Sequence, residues 1–250
     1  MNMKNSNLLT ALSTRALAGT TALAAGMALA STALTAAPAQ AFGLSIAPQY
    51  GSTENTGATA KLDFNFVQQG AQVLLNLDIK NTTNGSAGLG ATAATLVGVA
   101  FDLPTIVSAY TFSASTYNPG SSGFTKTYTG VSIPGLTQNT FSVGIRSAGS
   151  GNFVGGNPQA GLTAGQSSSV SFLLSGANLT AAGVESSFQS GFQGGSLQAA
   201  GRFQQVNAGG GSDKVLAGSD AVPEPTTLGG LALGGAILVR LRSRKVQQNA

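Results

Sequence analysis

The chain has 250 residues with Lys+Arg 12 against Asp+Glu 8, a formal net charge of +4, and it contains no His, no Cys and no Trp. The missing residue types exclude Ser-His, Cys-His and thiolate nucleophiles and zinc sites built from imidazole and thiolate. The positive charge belongs to the ends: between Phe42 and Asp220 six cations (Lys61, Lys80, Lys126, Arg146, Arg202, Lys214) meet seven acids (Glu54, Asp63, Asp78, Asp102, Glu185, Asp213, Asp220), a net of −1, and cations scattered in this way argue against a nucleic-acid partner.

Residues 1–41 read as a secretory signal. Lys4 and Arg15 stand in a segment with no acid, ALAGTTALAAGMALASTAL follows without charge, and TAAPAQA closes on small residues. Basic, apolar and small-residue regions in that order are what a signal peptidase recognises. Ala39 and Ala41 supply the A-x-A form, which puts the cut between Ala41 and Phe42. An uncleaved anchor is the alternative, since the apolar stretch is long, but Thr and Ser dilute it.

Residues 42–220 repeatedly alternate apolar and polar with period two, the mark of half-buried strands. In KLDFNFV, Leu62, Phe64 and Phe66 share one face while Lys61, Asp63 and Asn65 share the other. In QVLLNLDIKN, Val73, Leu75, Leu77 and Ile79 form the apolar row. ATLVGVAFDL, IVSAYTFSA, FTKTYTGVSI, NTFSVGIR, SSSVSFLLSG and AAGRFQQV are further strand candidates, separated by turn clusters such as YNPGSSG and NAGGGSDK. No stretch predicts a long amphipathic helix. Eight or nine short strands in roughly 180 residues predict an all-β body, an antiparallel β-sandwich with Greek-key or jelly-roll connections, large enough to fold without disulfides. Phe64, Phe66, Val73, Leu75, Leu77, Val99, Phe101, Val170, Phe172 and Leu174 are its predicted core. An outer-membrane barrel would need aromatic girdles, and few Tyr with no Trp argue against it.

Glycosidic cleavage would need two acids flanking the bond, and Asp63, Asp78, Asp102 and Glu185 are the acids available. Asp63 and Asp78 alternate with Lys61 and Lys80 on polar faces of neighbouring strands, which reads as a cross-strand charge pattern. Asp102, before Leu103-Pro104, reads as a turn carboxylate. GGGSDK, residues 209–214, lacks P-loop spacing and reads as a flexible or turning segment, with a calcium site using Asp213 and Asp220 as its alternative. Tyr110, Tyr117 and Tyr128 are the candidate glycan contacts, because aromatic rings beside polar loop residues can stack on sugar faces; ordinary strand and loop positions are the other reading. Asn81-Thr82-Thr83, Asn84-Gly85-Ser86 and Asn178-Leu179-Thr180 match the glycosylation sequon and read as turn chemistry. The expectation is no catalytic residue, no metal and no cofactor.

After the body come Val222-Pro223-Glu224-Pro225, an apolar run from Thr226 to Val239, and Arg240, Arg242, Arg244 and Lys245. As a helix the 14-residue run is about 21 Å long, short of the ~30 Å hydrocarbon layer. Snorkelling of Arg240 and Arg242 extends it, and local bilayer thinning takes up part of the mismatch. The positive-inside rule keeps the basic end in the cytoplasm, leaving Val222 to Pro225 at the outer face in an extended approach.

This order resembles the PEP-CTERM sorting signal of exported proteins in Gram-negative bacteria that make extracellular polysaccharide. The resemblance implies recognition by an exosortase, a cysteine transpeptidase of the inner membrane, which cuts near Pro-Glu-Pro after transient anchoring and releases the body toward the cell surface. The run departs from the pattern in being short and rich in glycine (Gly229, Gly230, Gly234, Gly235). VLLNLDIKNTT, LVGVAFDLP, LTAGQSSSVSFLLSG and GRFQQVNAGGGSDKV resemble stretches recurring in cyanobacterial PEP-CTERM bodies, and carry over no functional residue. The expected layout is a signal peptide (1–41), a β-sandwich body (42–220) and a sorting signal with a single membrane helix (221–250). The expected function is an exported, non-enzymatic envelope or extracellular-matrix protein whose partners are signal peptidase, exosortase, the inner membrane and, as a candidate, exopolysaccharide. The alternative is a carbohydrate-binding module that recognises exopolysaccharide.

Overall fold

A computed structural model describes residues 42–117 and 123–219. The alternating segments form strands β1 (Phe42–Ile46), β2 (Ala60–Gln69), β3 (Gln72–Asn81), β4 (Thr95–Phe101), β5 (Ala109–Tyr117), β6 (Phe124–Ser132), β7 (Thr140–Ser147), β8 (Leu162–Thr163) and β9 (Ser167–Ser175). A helix, α1 (Ala181–Gln193), then precedes β10 (Ala199–Gln204) and β11 (Ser212–Ser219). The all-β expectation holds, and the described pairings are all antiparallel. The strands form one 11-stranded sheet in the order β5-β9-β3-β2-β1-β11-β10-β4-β7-β6, with β8 added to β4. The two sheets expected of a sandwich are therefore halves of one nearly closed sheet, joined where β11 pairs with β1 on one side and β10 on the other.

The halves face each other across a common core. Phe101 of β4 lies edge-on to Phe64 of β2 and to Phe172 of β9, at 5.8 and 5.9 Å between ring centroids. All ten core residues predicted from alternation are buried in this cluster. Apolar rows point inward and polar rows outward, as in Leu62, Phe64 and Phe66 against Lys61, Asp63 and Asn65. That is the reverse of a transmembrane barrel, whose apolar band faces lipid. Among the described residues no helix is long and apolar enough to cross a membrane.

The β2–β3 hairpin turns on two residues, Gly70 and Ala71, between the paired Gln69 and Gln72. Gly70 has φ +59°, and glycine at the first central position suits the type II′ turn that matches strand twist. Gln68 then ties the hairpin to the helix start, its Oε1 accepting from the Ala181 N–H at 2.7 Å and its Nε2 donating to the Leu179 carbonyl at 3.2 Å.

Helix α1 was not predicted. Thr180 caps it, the hydroxyl accepting from the Gly183 N–H at 3.1 Å, and Val184, Phe188 and Gly191 form its buried face. Phe188 and Phe192 join Phe42, Phe64 and Phe66 in one ring cluster. Tertiary burial of two phenylalanines thus stabilises a segment that Gly and Ser weaken locally. The segment read as flexible, residues 209–214, already enters β11 at Ser212. The charge pattern on β2 and β3 also differs from expectation: the register sets Lys61 opposite Lys80 and Asp63 opposite Asp78. Like charges face each other, an unfavourable arrangement, and relief comes from within the strand, where Lys61 Nζ reaches Asp63 Oδ1 at 2.9 Å.

Phe64 is fully buried and stacks on Phe42 with centroids 4.8 Å apart. Phe64→Ala should cost about 3–5 kcal/mol in urea unfolding, whereas Asn65→Ala on the exposed face of the same strand should stay within about 0.5 kcal/mol.

Candidate functional site

The described body concentrates its polar chemistry at three places. The first is Asp213 on β11, 1% exposed. Its carboxylate accepts from the Ser52 hydroxyl at 2.7 and 2.8 Å, the Thr53 hydroxyl at 3.1 Å, the Glu54 N–H at 3.1 Å, the Thr56 N–H and hydroxyl at 2.9 and 2.8 Å, and the Lys214 N–H at 2.8 Å. Desolvation raises its pKa most strongly, but the Thr56 N–H, the Ser52 and Thr56 hydroxyls and the Glu54 N–H together hold the carboxyl below its ordinary value. These donors occupy the carboxylate. Among the described residues no cluster of acids is suited to a metal, and Asp220, the partner expected in a calcium site, lies outside them.

The second is Arg146 on β7, fully buried. The guanidinium sits in a cage of carbonyls from the following loop, donating to Gly155 at 3.0 Å, Ser150 at 3.0 Å and Gly151 at 2.8 Å, while its Nε donates to the Tyr128 hydroxyl at 2.8 Å. Tyr128 in turn donates to the Gly151 carbonyl at 3.0 Å. Phe153 of the same loop lies edge-on to Tyr128, 6.2 Å between centroids, and settles onto two glycines of the sheet. A Cβ at Gly144 would lie 2.7 Å from Phe153 Cδ2, and one at Gly98 would lie 3.2 Å from its Cζ. Glycine at these positions lets the loop close over the outer face.

The third is the seam between β5 and β6, the two ends of the strand order. The strands are consecutive in the chain, yet among the described residues no ladder joins them. Tyr110 bridges the gap: its hydroxyl donates to the Tyr128 carbonyl at 3.1 Å and shares a hydrogen bond with the Thr129 hydroxyl at 2.9 Å. Beside it runs a groove of about 530 Å³ lined by Leu103, Thr105, Val107, Tyr110, Thr129 and Ser142. A neighbouring groove of about 570 Å³ shares Leu103, Thr105 and Ser142 and reaches Asp102.

The candidate glycan contacts are thus placed unequally. Tyr110 lies on the seam groove with its ring edge-on to Phe172, 5.7 Å between centroids. Tyr128 is half-buried and committed to the Arg146 cage. Tyr117 ends β5 opposite Ser168, and its side chain lies outside the described set. The candidate acids are spread apart. Asp78 accepts from the Ser169 hydroxyl, and Asp102 holds the N–H groups of Ser142 and Gln198 at 3.1 and 3.0 Å. Glu185 sits on α1, where burial raises its pKa. The sequon asparagines do turn work: Asn81 Oδ1 accepts from the Thr83 N–H and Asn84 Oδ1 from the Ser86 N–H, both at 3.1 Å, and Asn178 takes φ +54°. Phe42 is the first residue of β1. Ala39, Ala41, Val222, Pro223, Glu224, Pro225, Arg240, Arg242, Arg244 and Lys245 lie outside the described residues. Sequence reading missed the Asp213 clamp and the Arg146 cage, because their partners are loop residues fixed only by the fold.

Tyr128→Phe should cost about 1–3 kcal/mol, since it leaves the buried Arg146 Nε without its acceptor, and Tyr110→Phe only about 0.5–1.5 kcal/mol at the more exposed seam; urea melts of the two variants give the comparison. Because the folded pKa of Asp213 is depressed, its contribution is complete above the unfolded value of about 3.9 and is lost as pH falls through the lower folded value. Asp213→Asn should therefore destabilise by about 2–3 kcal/mol at neutral pH and should shrink that acid-side loss in a pH series of melts.

Comparison of the chain with protein-family models, with curated proteins and with solved structures finds no match.

Proposed function

We propose that the chain is an exported, non-enzymatic protein of the cell envelope or extracellular matrix, sorted by an exosortase-type membrane transpeptidase through its C-terminal segment. The observation that carries this reading is the order of Val222-Pro223-Glu224-Pro225, the apolar run and the basic end, together with the secretory pattern of residues 1–41. In this reading a cleaved signal and a single membrane helix flank a β-sandwich body with Greek-key or jelly-roll connections.

The fold supports the reading by its connectivity. β1 and β11 are neighbours, with Leu44 opposite Ser219, so the described body begins and ends on adjacent antiparallel strands at one side of the shell. Two residues, Asp220 and Ala221, lie between Ser219 and Val222, so the three steps span about 10 Å when extended and the proposed cut falls close to the folded body. The network chemistry agrees as well: Asp102 and Asp213 each hold backbone N–H groups in place, a structural use of carboxylates.

The carbohydrate-binding reading is favoured by one feature, the hydroxyl-lined seam groove carrying Tyr110, Thr105, Thr129 and Ser142. Hydroxyls there can bond the edges of a neutral sugar, and the exposed part of the Tyr110 ring can cover its face.

Replacing Pro223 and Pro225 with Ala, or Arg240, Arg242, Arg244 and Lys245 with Ala, should leave the protein in the inner-membrane fraction and deplete it from the cell surface and medium. Unchanged fractionation in both variants contradicts the sorting proposal.

A further inference from the structure

The ladders fix which pieces of chain leave which end of the shell. Followed from strand to strand, they put Phe42, Gln69, Ser175 and Ala109 at one end together with Phe101, Ser132 and Ser219. Asn81, Tyr117, Phe124 and Ser212 stand at the other. Both grooves open at the first end, one beside Tyr110 and Thr129 at the seam and the next reaching Ser196 and Leu197, just before β10. Residues 118–122, which connect β5 to β6, belong to the opposite end. Residues 1–41 lead into Phe42 and residues 220–250 continue from Ser219, so both attach at the groove end.

The grooves adjoin strand edges that lack a cover. Among the described residues no ladder joins β5 to β6, and edges left open in this way are ordinarily covered or blunted. Gly130, at φ +63°, borders both grooves, and nothing lies within 4 Å of the place a Cβ would take there. The walls are neutral: Leu103, Val107 and the Tyr110 ring stand with the hydroxyls of Thr105, Thr129 and Ser142. No Lys or Arg is among the lining residues, and the Asp102 carboxylate is already bonded to the N–H groups of Ser142 and Gln198. Such walls suit a short extended peptide with apolar side chains and free carbonyls, the chemistry by which proline-rich segments dock on aromatic-lined grooves.

We propose that the occupant is the chain's own Val222-Pro223-Glu224-Pro225, docked along the groove before it is cut, an inference that rests on the sorting reading for the removal of residues 1–41 and for the use of this motif. The reach is sufficient. From β11 over β10, β4 and β7 to β6 is four strand spacings, about 19 Å at ~4.8 Å per strand, and the six residues from Asp220 to Pro225 span about 20 Å when extended. Val222 and the two prolines lie on Leu103, Val107 and Tyr110, their carbonyls accept from the groove hydroxyls, and Glu224 faces solvent. Because the segment is tethered beside its site, a contact too weak to hold a free peptide is enough to keep it there. A docked motif is withheld from the transpeptidase, so the groove and the enzyme compete for the same residues.

The chain has no cysteine, so an introduced pair reports proximity without interference. Thr105→Cys, exposed on the groove rim, is combined with Val222→Cys or with Glu224→Cys in the full chain, purified in detergent micelles and treated with oxidised glutathione. Lys80→Cys, exposed toward the opposite end of the shell, replaces Thr105→Cys in the control. At least one Thr105 pair should close within the monomer about tenfold more extensively than its Lys80 counterpart, as read on non-reducing gels. Adding Pro223→Gly and Pro225→Gly should lower that closure about threefold, because glycine gives up the preformed extended shape. Closure no greater than in the control, disulfide-linked dimers in place of closed monomers, or closure unaffected by the glycines overturns the proposal. No transpeptidase is present in this experiment, so its failure leaves the sorting proposal standing, and a failure of sorting in cells leaves the closure unchanged.

Discussion

The two halves of the sheet are joined where β11 pairs with β1 and β10, and the hydrogen bonds converging on the buried Asp213 carboxylate hold that strand in place. The β1–β11 ladder is short, running from Leu44↔Ser219 to Ile46↔Ala217, while the β2–β3 ladder runs the full length of both strands. A junction that narrow needs support from outside the ladder. Asp213 supplies it by drawing Ser52, Thr53, Glu54 and Thr56 onto the start of β11, and the isolated bridge between Ser52 and Val215 extends the same contact. One desolvated carboxylate is tolerable because several donors converge on it. With the junction fixed, the two halves close on a common layer of Phe64, Phe101 and Phe172.

The outer surface of the β10–β4–β7 half carries a second layer that depends on small side chains. Gly144, Ala100 and Ala200 form a low row on which Phe153, Val131 and Leu136 pack as a separate apolar cluster. Arg146 lies beneath the covering loop and binds it through carbonyls instead of an acid. Such a charge cannot be removed without cost, since the carbonyls and Tyr128 would lose their donors together. The Gly- and Ser-rich composition therefore has two physical uses: polar loop groups that satisfy buried charges, hydroxyls and N–H groups for Asp213 and carbonyls for Arg146, and absent side chains that let loops approach the sheet.

Much of the interior was legible in the sequence because alternation is local. Leu62, Phe64 and Phe66 declare their face within seven residues, and every core residue named from such patterns is buried. Legibility failed where local and tertiary signals disagree. In α1, Val184 and Phe188 have helical spacing, but Ala181, Ala182 and Gly183 before them and Ser186, Ser187, Ser190 and Gly191 around them conceal it. β11 follows three glycines, so its start reads as a loop. The opposition of Lys61 to Lys80 depends on the register of the β2–β3 hairpin, and the Asp213 clamp depends on contact between segments distant in the chain. Periodicity carries no information about which strands become neighbours.

The functional account joins this shell to its two ends. β1 and β11 lie side by side, so in the proposed maturation both cuts fall next to the same pair of strands and leave the sheet intact. The most direct measurement is the intact mass of the mature protein isolated from the cell surface or medium. The account predicts a chain beginning at Phe42 and ending within residues 222–225, whereas a product retaining the sequence through Ala250 would contradict it.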